Sequence, residues 1–199
     1  MKKGLIALVV LGILAFILVG YYIRTNNTMV EMKGEATKQW ANVESSYQRR
    51  NDLIGNLVKT VQGAADFERG TLTDVIEARS KASSVNLDLD NLTPEKIAAF
   101  EQAQAGLSSA LSRLLVTVER YPELKANQNF VQLQTQLEGT ENRINVERNR
   151  FNEIAGDYNI YIDKIPANIV AGIAGFDAMT LFESVEGAEQ PVDVEFNFD

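Results

Sequence analysis

Cysteine and histidine are both missing from this chain of 199 residues. The absence of a thiol removes disulfides and all thiol chemistry. The absence of an imidazole removes the commonest metal ligand and the commonest general base together. Di-metal sites in helical bundles ordinarily draw on Glu-x-x-His, which this sequence cannot supply. Neither a phosphate-binding glycine loop nor a G-x-S-x-G elbow occurs. Carboxylates are plentiful, so pairs such as Glu141 with Glu147, or Glu119 with Glu123, arise by chance without an identifiable nucleophile or oxyanion donor. We therefore expect no enzyme, assign no catalytic, cofactor-binding or metal-ligating residues, and expect no cofactor.

Proline is scarce as well, with four residues at 94, 122, 166 and 191. The long stretches between them are free to remain helical. Basic surface is also lacking. The net charge is −8, and the last 17 residues hold six acids (Glu183, Glu186, Glu189, Asp193, Glu195, Asp199) with no Lys or Arg, which leaves −2 on residues 1–182. A near-neutral body with an acidic tail excludes nucleic acid as a partner, since phosphate backbones demand concentrated positive charge. It equally excludes a polybasic patch lying on anionic lipid.

What the chain does have is an uncharged run of twenty residues, Gly4 to Ile23, opened by Lys2 and Lys3 and closed by Arg24. A helix rising about 1.5 Å per residue needs about twenty residues to cross a hydrocarbon core about 30 Å thick. Leu, Ile, Val, Ala and Phe dominate the run, and Tyr21 and Tyr22 stand where amphipathic rings favour the headgroup layer. A cleaved signal would have a shorter apolar core and small residues before the cut; Leu18-Val19-Gly20-Tyr21-Tyr22 offers no such site. The run reads as a retained single-pass membrane anchor, with lipid as the first partner. Lys2 and Lys3 favour a cytoplasmic N-terminus and an extracytoplasmic domain, against Arg24, Lys33 and Lys38 on the other side.

Beyond the anchor the pattern is helical. Met29, Met32, Ala36, Trp40, Val43, Tyr47, Ile54, Leu57, Val61 and Ala65 recur at spacings of three, four or seven, which predicts one helix from about Thr28 to about Ala82. Residues 83–93 read as a loop, with Thr93 as an N-cap and Pro94 in the first helical position. A second helix carries Ile97, Phe100, Leu107, Leu111, Leu114, Leu115 and Val118 as far as Tyr121, where Pro122 forces a corner. A third runs to about Ile165 with Phe130, Leu137, Ile144, Phe151, Tyr158 and Ile165 in steps of seven, a coiled-coil period. Trp40, Tyr47, Phe130, Phe151 and Tyr158 lie in these stripes and read as core.

After Pro166 a short apolar segment, Ile169 to Phe182, predicts a last short helix. Residues 192–198 then alternate apolar and polar, the period of a strand. The expected class is all-α: an anchor (1–27, spanning about 4–23), an elongated antiparallel bundle of three long helices with a short fourth (28–182), and an acidic, strand-like tail (183–199).

Several motifs in fixed order resemble the LemA family of bacterial membrane-anchored helical proteins. They are Arg49 to Val58, Ala78-Arg79, Glu119 to Ala126, and Phe130, Leu133, Gln134 and Leu137. Glu141, Ile144 and Arg148 follow, then Phe151-Asn152-Glu153, Asp157-Tyr158-Asn159 and Ile165-Pro166. Phe151 stands where members usually have tyrosine. The resemblance implies a single-pass helical protein without assigned catalysis, linked to membrane organisation and organelle-like compartments.

Arg49, Arg50, Arg79, Glu119, Glu141 and Arg148 would be brought close by packing such helices. The bland reading, an interhelical ion-pair network, outweighs a binding pocket, because buried charge survives only when paired. On these grounds we expect a non-enzymatic membrane protein that self-assembles into homo-oligomers and organises the membrane. Its lateral contacts would come from apolar positions of 169–182 and 192–198. The alternative is an adaptor that recruits a soluble protein or peptide.

Overall fold

The computed structural model describes residues 2–63, 68–85, 89 and 92–182. Six helices follow one another among them: α1 (Lys2–Gln62), α2 (Arg69–Ser84), α3 (Pro94–Val118), α4 (Pro122–Lys125), α5 (Gln128–Asp163) and α6 (Ala167–Ala174). No strand occurs among the described residues. The strand-like reading of 192–198 falls in the tail 183–199, outside the described residues.

α1 is a single helix of 61 residues with two different surroundings. Every residue from Lys2 to Arg24 is exposed. From Thr25 onward one side turns inward, with Met29, Ala36, Trp40, Val43, Tyr47, Ile54 and Leu57 buried. The same backbone therefore leaves the apolar span and enters the bundle without a joint.

The segment expected to continue to residue 82 instead ends at Gln62, and α2 folds back beside it, so that Arg79 reaches Asn51. Burial explains the reversal. In an unbroken helix the stripe beyond Val61 would have had no partner. Folding back buries Leu72 and Val75 with Ile54, Leu57 and Val61, and each such side chain contributes about 1.5–3 kcal/mol. A helix carrying Gly63 and Gly70 has little to set against that, since each glycine costs about 0.5–1 kcal/mol relative to alanine.

α3 runs alongside α1 in the same sense, placing Phe100 against Tyr47 and Gln104 against Arg50. Its start is capped as the sequence predicts: Thr93 accepts from the Lys96 amide at 3.3 Å, with Pro94 in the first turn. α4 is one turn at the Pro122 corner, after which the Asn127 side chain caps α5 by accepting from the amides of Asn129 and Phe130. α5 returns antiparallel to α1, and Glu141 meets Arg50 while Glu147 meets Gln39. The bundle thus runs up, down, up, down through α1, α2, α3 and α5.

Its core falls into three stacked clusters. The one farthest from the apolar span is purely aliphatic apart from Phe130 and Tyr121. The middle one is aromatic, built on Trp40, Tyr47, Phe100, Phe151 and Phe182. The one nearest the span joins Met29 to Tyr158, Ile162, Ala167, Val170 and Ala171. All five heptad positions from Phe130 to Tyr158 are buried, but Ile165 is 84% exposed. α5 ends at Asp163, and the turn that follows carries that side chain out of the stripe.

Candidate functional site

The middle of the bundle is where charge enters the interior. Arg50 is buried in the face of α1, spaced three from Tyr47 and four from Ile54 in the apolar stripe. Its guanidinium donates to Glu141 at 2.8 and 3.1 Å and to the Gln104 side-chain oxygen, and lies 5.1 Å from the Tyr47 ring centroid. Gln104 in turn donates to the Ala82 carbonyl at 3.4 Å, so one polar chain links α5, α1, α3 and α2. A second pair joins Arg148 of α5 to Glu101 of α3, with the Arg148 guanidinium 4.6 Å over the Phe182 ring. A third layer has the Gln39 amide donating to the Glu147 carboxylate at 2.8 Å and to its carbonyl at 3.0 Å. Burial raises the Tyr47 hydroxyl above the usual tyrosine pKa, although Arg148 and Arg50 pull it down. It remains neutral throughout the physiological range.

Of the six charged residues singled out in the sequence, Arg50, Glu141, Arg79 and Arg148 take part in contacts between helices. Arg79 donates to the Asn51 carbonyl at 2.8 Å. It passes so close over Gly55 that a Cβ there would stand 3.2 Å from the guanidinium. That close approach accounts for a glycine and an arginine in two separate motifs. Arg49 and Glu119 do not join the network. Arg49 is exposed one position off the stripe, and Glu119 pairs with Lys125 at the exposed corner. The expected six-membered network is thus corrected to one mutual pair, Arg50 with Glu141, while Arg148 and Arg79 make separate contacts; Arg49 misses it because adjacent residues on a helix point about 100° apart. Glu101, Gln104, Gln39 and Glu147 were not foreseen.

A different device holds the chain after α6. Phe176 to Phe182 run along α5, and two asparagines clasp them. Asn152 accepts from the Phe182 amide at 2.9 Å and donates to its carbonyl at 2.8 Å. Asn159 treats Met179 identically, both bonds being 2.8 Å. The match is metric: seven residues of helix rise about 10.5 Å, and three residues of extended chain cover about 10 Å. Each side-chain amide therefore imitates one rung of a β-ladder. The Tyr158 hydroxyl donates to the Asp177 carbonyl at 3.1 Å, and the Thr180 hydroxyl to that of Leu92 at 3.0 Å. Phe182 is thereby seated against Trp40, with centroids 5.6 Å apart and rings nearly parallel, and edge-on to Phe151. Two asparagines seven apart, each beside a buried aromatic of α5, were the signal available in the sequence.

This corrects the expectation that the apolar positions of 169–182 face outward for lateral contact. Val170 and Phe182 are buried, and Phe176 and Met179 are packed against the core. Among the larger apolar residues only Ile169, Ile173 and Leu181 stay exposed.

Two openings border these layers. A cavity of about 190 Å³ lies beside Tyr47, Asn51, Phe100 and Gln104. A shallow groove of about 510 Å³ runs between α2 and α3, with Asp74, Glu77, Lys81 and Arg113 on its walls. Among the described residues no group of three acidic side chains is placed to hold a metal ion.

A model of the LemA family matches residues 39–196 of the chain. The magnetosome proteins MamQ 1 and MamQ 2 of Paramagnetospirillum magneticum are each 29% identical over 206 aligned positions, covering 95% of this chain and 75% of theirs. Protein LemA of Metamycoplasma hominis is 25% identical, covering 92% of this chain and 78% of its own length. With the exposed apolar first third of α1, this kinship makes the chain a membrane-associated helical protein.

Proposed function

The chain belongs to the LemA family, and from that premise we propose that it is a non-enzymatic anchor and scaffold that self-assembles in the bacterial cell membrane and organises it. The observation that carries the proposal is the unbroken α1, exposed and apolar over its first third and packed into the bundle over the rest. A flexible linker would let the bundle tumble. A continuous helix couples its direction to that of the span, and at about 1.5 Å per residue the packed part projects roughly 55 Å. Stiff bodies confined to a plane meet at raised effective concentration, so modest lateral contacts suffice to build homo-oligomers. The interior layers of paired charge serve rigidity and register, which a scaffold needs and a catalyst would not require in this form. Two relatives bear the name of the magnetosome, which supports a compartment-related setting for this chain. Lys2 and Lys3 before the span support a cytoplasmic N-terminus with the bundle on the other side, against Arg24, Lys33 and Lys38 beyond it.

The second reading, an adaptor for a soluble protein or peptide, has the α2–α3 groove in its favour. Electron microscopy of the purified full-length protein in lipid bilayers separates the two. Ordered clusters or arrays of this protein alone support the scaffold. Evenly scattered single bundles at all protein-to-lipid ratios overturn self-assembly and leave the adaptor.

A further inference from the structure

We propose that α6 is a second contact with the bilayer, an interfacial helix whose Ile169 and Ile173, with Ile165 just ahead of them, enter the lipid headgroup region beside the exit of α1. The inference rests on the anchoring part of the reading above, and not on self-assembly.

Composition is the first ground. Between Lys164 and Asp177 twelve consecutive residues, Ile165 to Phe176, carry no charge. Such a run on the outside of a water-facing bundle is out of place, and contiguous exposed apolar surface marks a contact.

The second ground is the division of its sides. Ala167, Val170 and Ala171 close the cluster around Met29, Tyr158 and Ile162. That fixes α6 firmly to the bundle. On the other side Ile169 is 61% and Ile173 70% exposed, one turn apart, and Ile165 is 84% exposed. The helix is thus apolar on both sides, one of them packed on the bundle and the other met by nothing among the described residues.

Position supplies the occupant. Met29 lies six residues beyond Ile23, the end of the apolar run, which is about 9 Å along the axis. Thr25, two residues beyond, is already buried. A headgroup layer is about 5–8 Å thick on each side of the hydrocarbon, and interfacial helices sink their apolar face about 5–10 Å into it. α5 runs antiparallel to α1, so its last turn and the turn at 163–167 form the part of the bundle nearest the membrane. Arg24 and Lys164 are exposed at that level, where their ammonium and guanidinium groups meet phosphates while their stems lie along apolar surface. The stretch 165–176 has no carboxylate for anionic headgroups to repel. Lipid therefore fits this face better than a second copy of the chain. Two attachments a short distance apart hold the tilt of the bundle as one attachment would not.

The missing cysteines make the test direct. Single variants Phe16→Cys, Val146→Cys and Ile169→Cys of the full-length protein are labelled with an environment-sensitive fluorophore. They are reconstituted in phosphatidylcholine–phosphatidylglycerol vesicles containing a nitroxide lipid, labelled at the headgroup for positions 146 and 169 and along the acyl chain for position 16, which lies about 11 Å inside the span. Val146 is exposed on α5, 17 residues or about 25 Å above its membrane-side end. The proposal expects quenching at 169 comparable to that at 16, with little at 146. Quenching at 16 but not at 169 overturns it and leaves the anchor intact. A label at 169 shielded from both water and lipid, more so as protein concentration rises, also overturns it and makes the face a protein interface. Quenching at neither 16 nor 169 removes the anchor and this proposal together.

Discussion

The far end of the bundle and its middle are held together on different terms. At the far end Leu57, Leu107, Leu114 and Val61 are wholly buried, and charge stays outside, as in Arg113 with Asp74 at 3.7 Å and Arg120 with Glu68 at 3.1 Å. In the middle the side chains of Arg50, Glu147 and Gln104 lie inside among aromatic rings. Aliphatic packing stabilises without caring much about register, whereas an interior hydrogen-bonded pair is satisfied in one arrangement only. The far end thus supplies stability, and the middle sets which residue faces which. The asparagine-clasped segment after α6 is seated against the middle, where its position is determined.

The largest effect expected from breaking this contrast is at the far end. Leu114→Ala should lower the unfolding free energy of the full-length protein in detergent by about 4 kcal/mol, since large-to-small changes in a closed core add a cavity to the lost burial. Denaturant titration followed by circular dichroism measures it, and a loss below about 1 kcal/mol would mean that the aliphatic cluster collapses around the gap. In the middle, Glu141→Gln should cost somewhat less, about 3 kcal/mol, by stranding the Arg50 charge. The pair is lopsided: the Arg50 side chain is 4% exposed and that of Glu141 41%. Removing the buried partner should therefore hurt less than removing the exposed one. The double variant Arg50→Met with Glu141→Leu should recover most of the loss. A double variant as unstable as the single one would show that Arg50 acts through Gln104 and Tyr47 instead.

Asn152→Leu should act locally, costing about 2 kcal/mol through the unmatched amide and carbonyl of Phe182. Hydrogen exchange should quicken at Met179 and Phe182 while the amides of α1 stay protected. Uniform quickening would mean that the clasped segment and the helices open as one unit.

How far these features could be read in advance depends on whether their cause is local. The long apolar helix, the Thr93 cap and the heptad from Phe130 to Tyr158 all follow from spacing within a few turns, and all are found. Arg50 could be told from Arg49 by phase, because steps of four, three and four from Val43 through Tyr47 and Arg50 to Ile54 keep it on the stripe. The break after Gln62 was not legible. No proline marks it, and its cause is burial against partners far along the chain. The same holds for Arg148 with Glu101 and for the asparagine clasp, where the partner is 47 and 30 residues distant respectively. Periodicity reports which side of a helix faces inward and is silent on what it meets there.

The smallest effect should come from the surface pairs of the far end, and it sharpens the comparison because the chemistry matches that of the middle. Arg113 and Asp74 face each other across α3 and α2 with both side chains more than half exposed. Water screens their attraction, and holding two long side chains in place costs rotamer entropy, so exposed pairs contribute about 0–1 kcal/mol. Asp74→Ala should shift the denaturation midpoint by less than about 0.5 kcal/mol equivalent, and less still in high salt. A loss approaching that of Glu141→Gln would erase the distinction between the two regions. It would mean that the α2–α3 groove, whose wall these residues form, is closed to solvent in the membrane-bound protein, and that charge pairing governs the far end as it governs the middle.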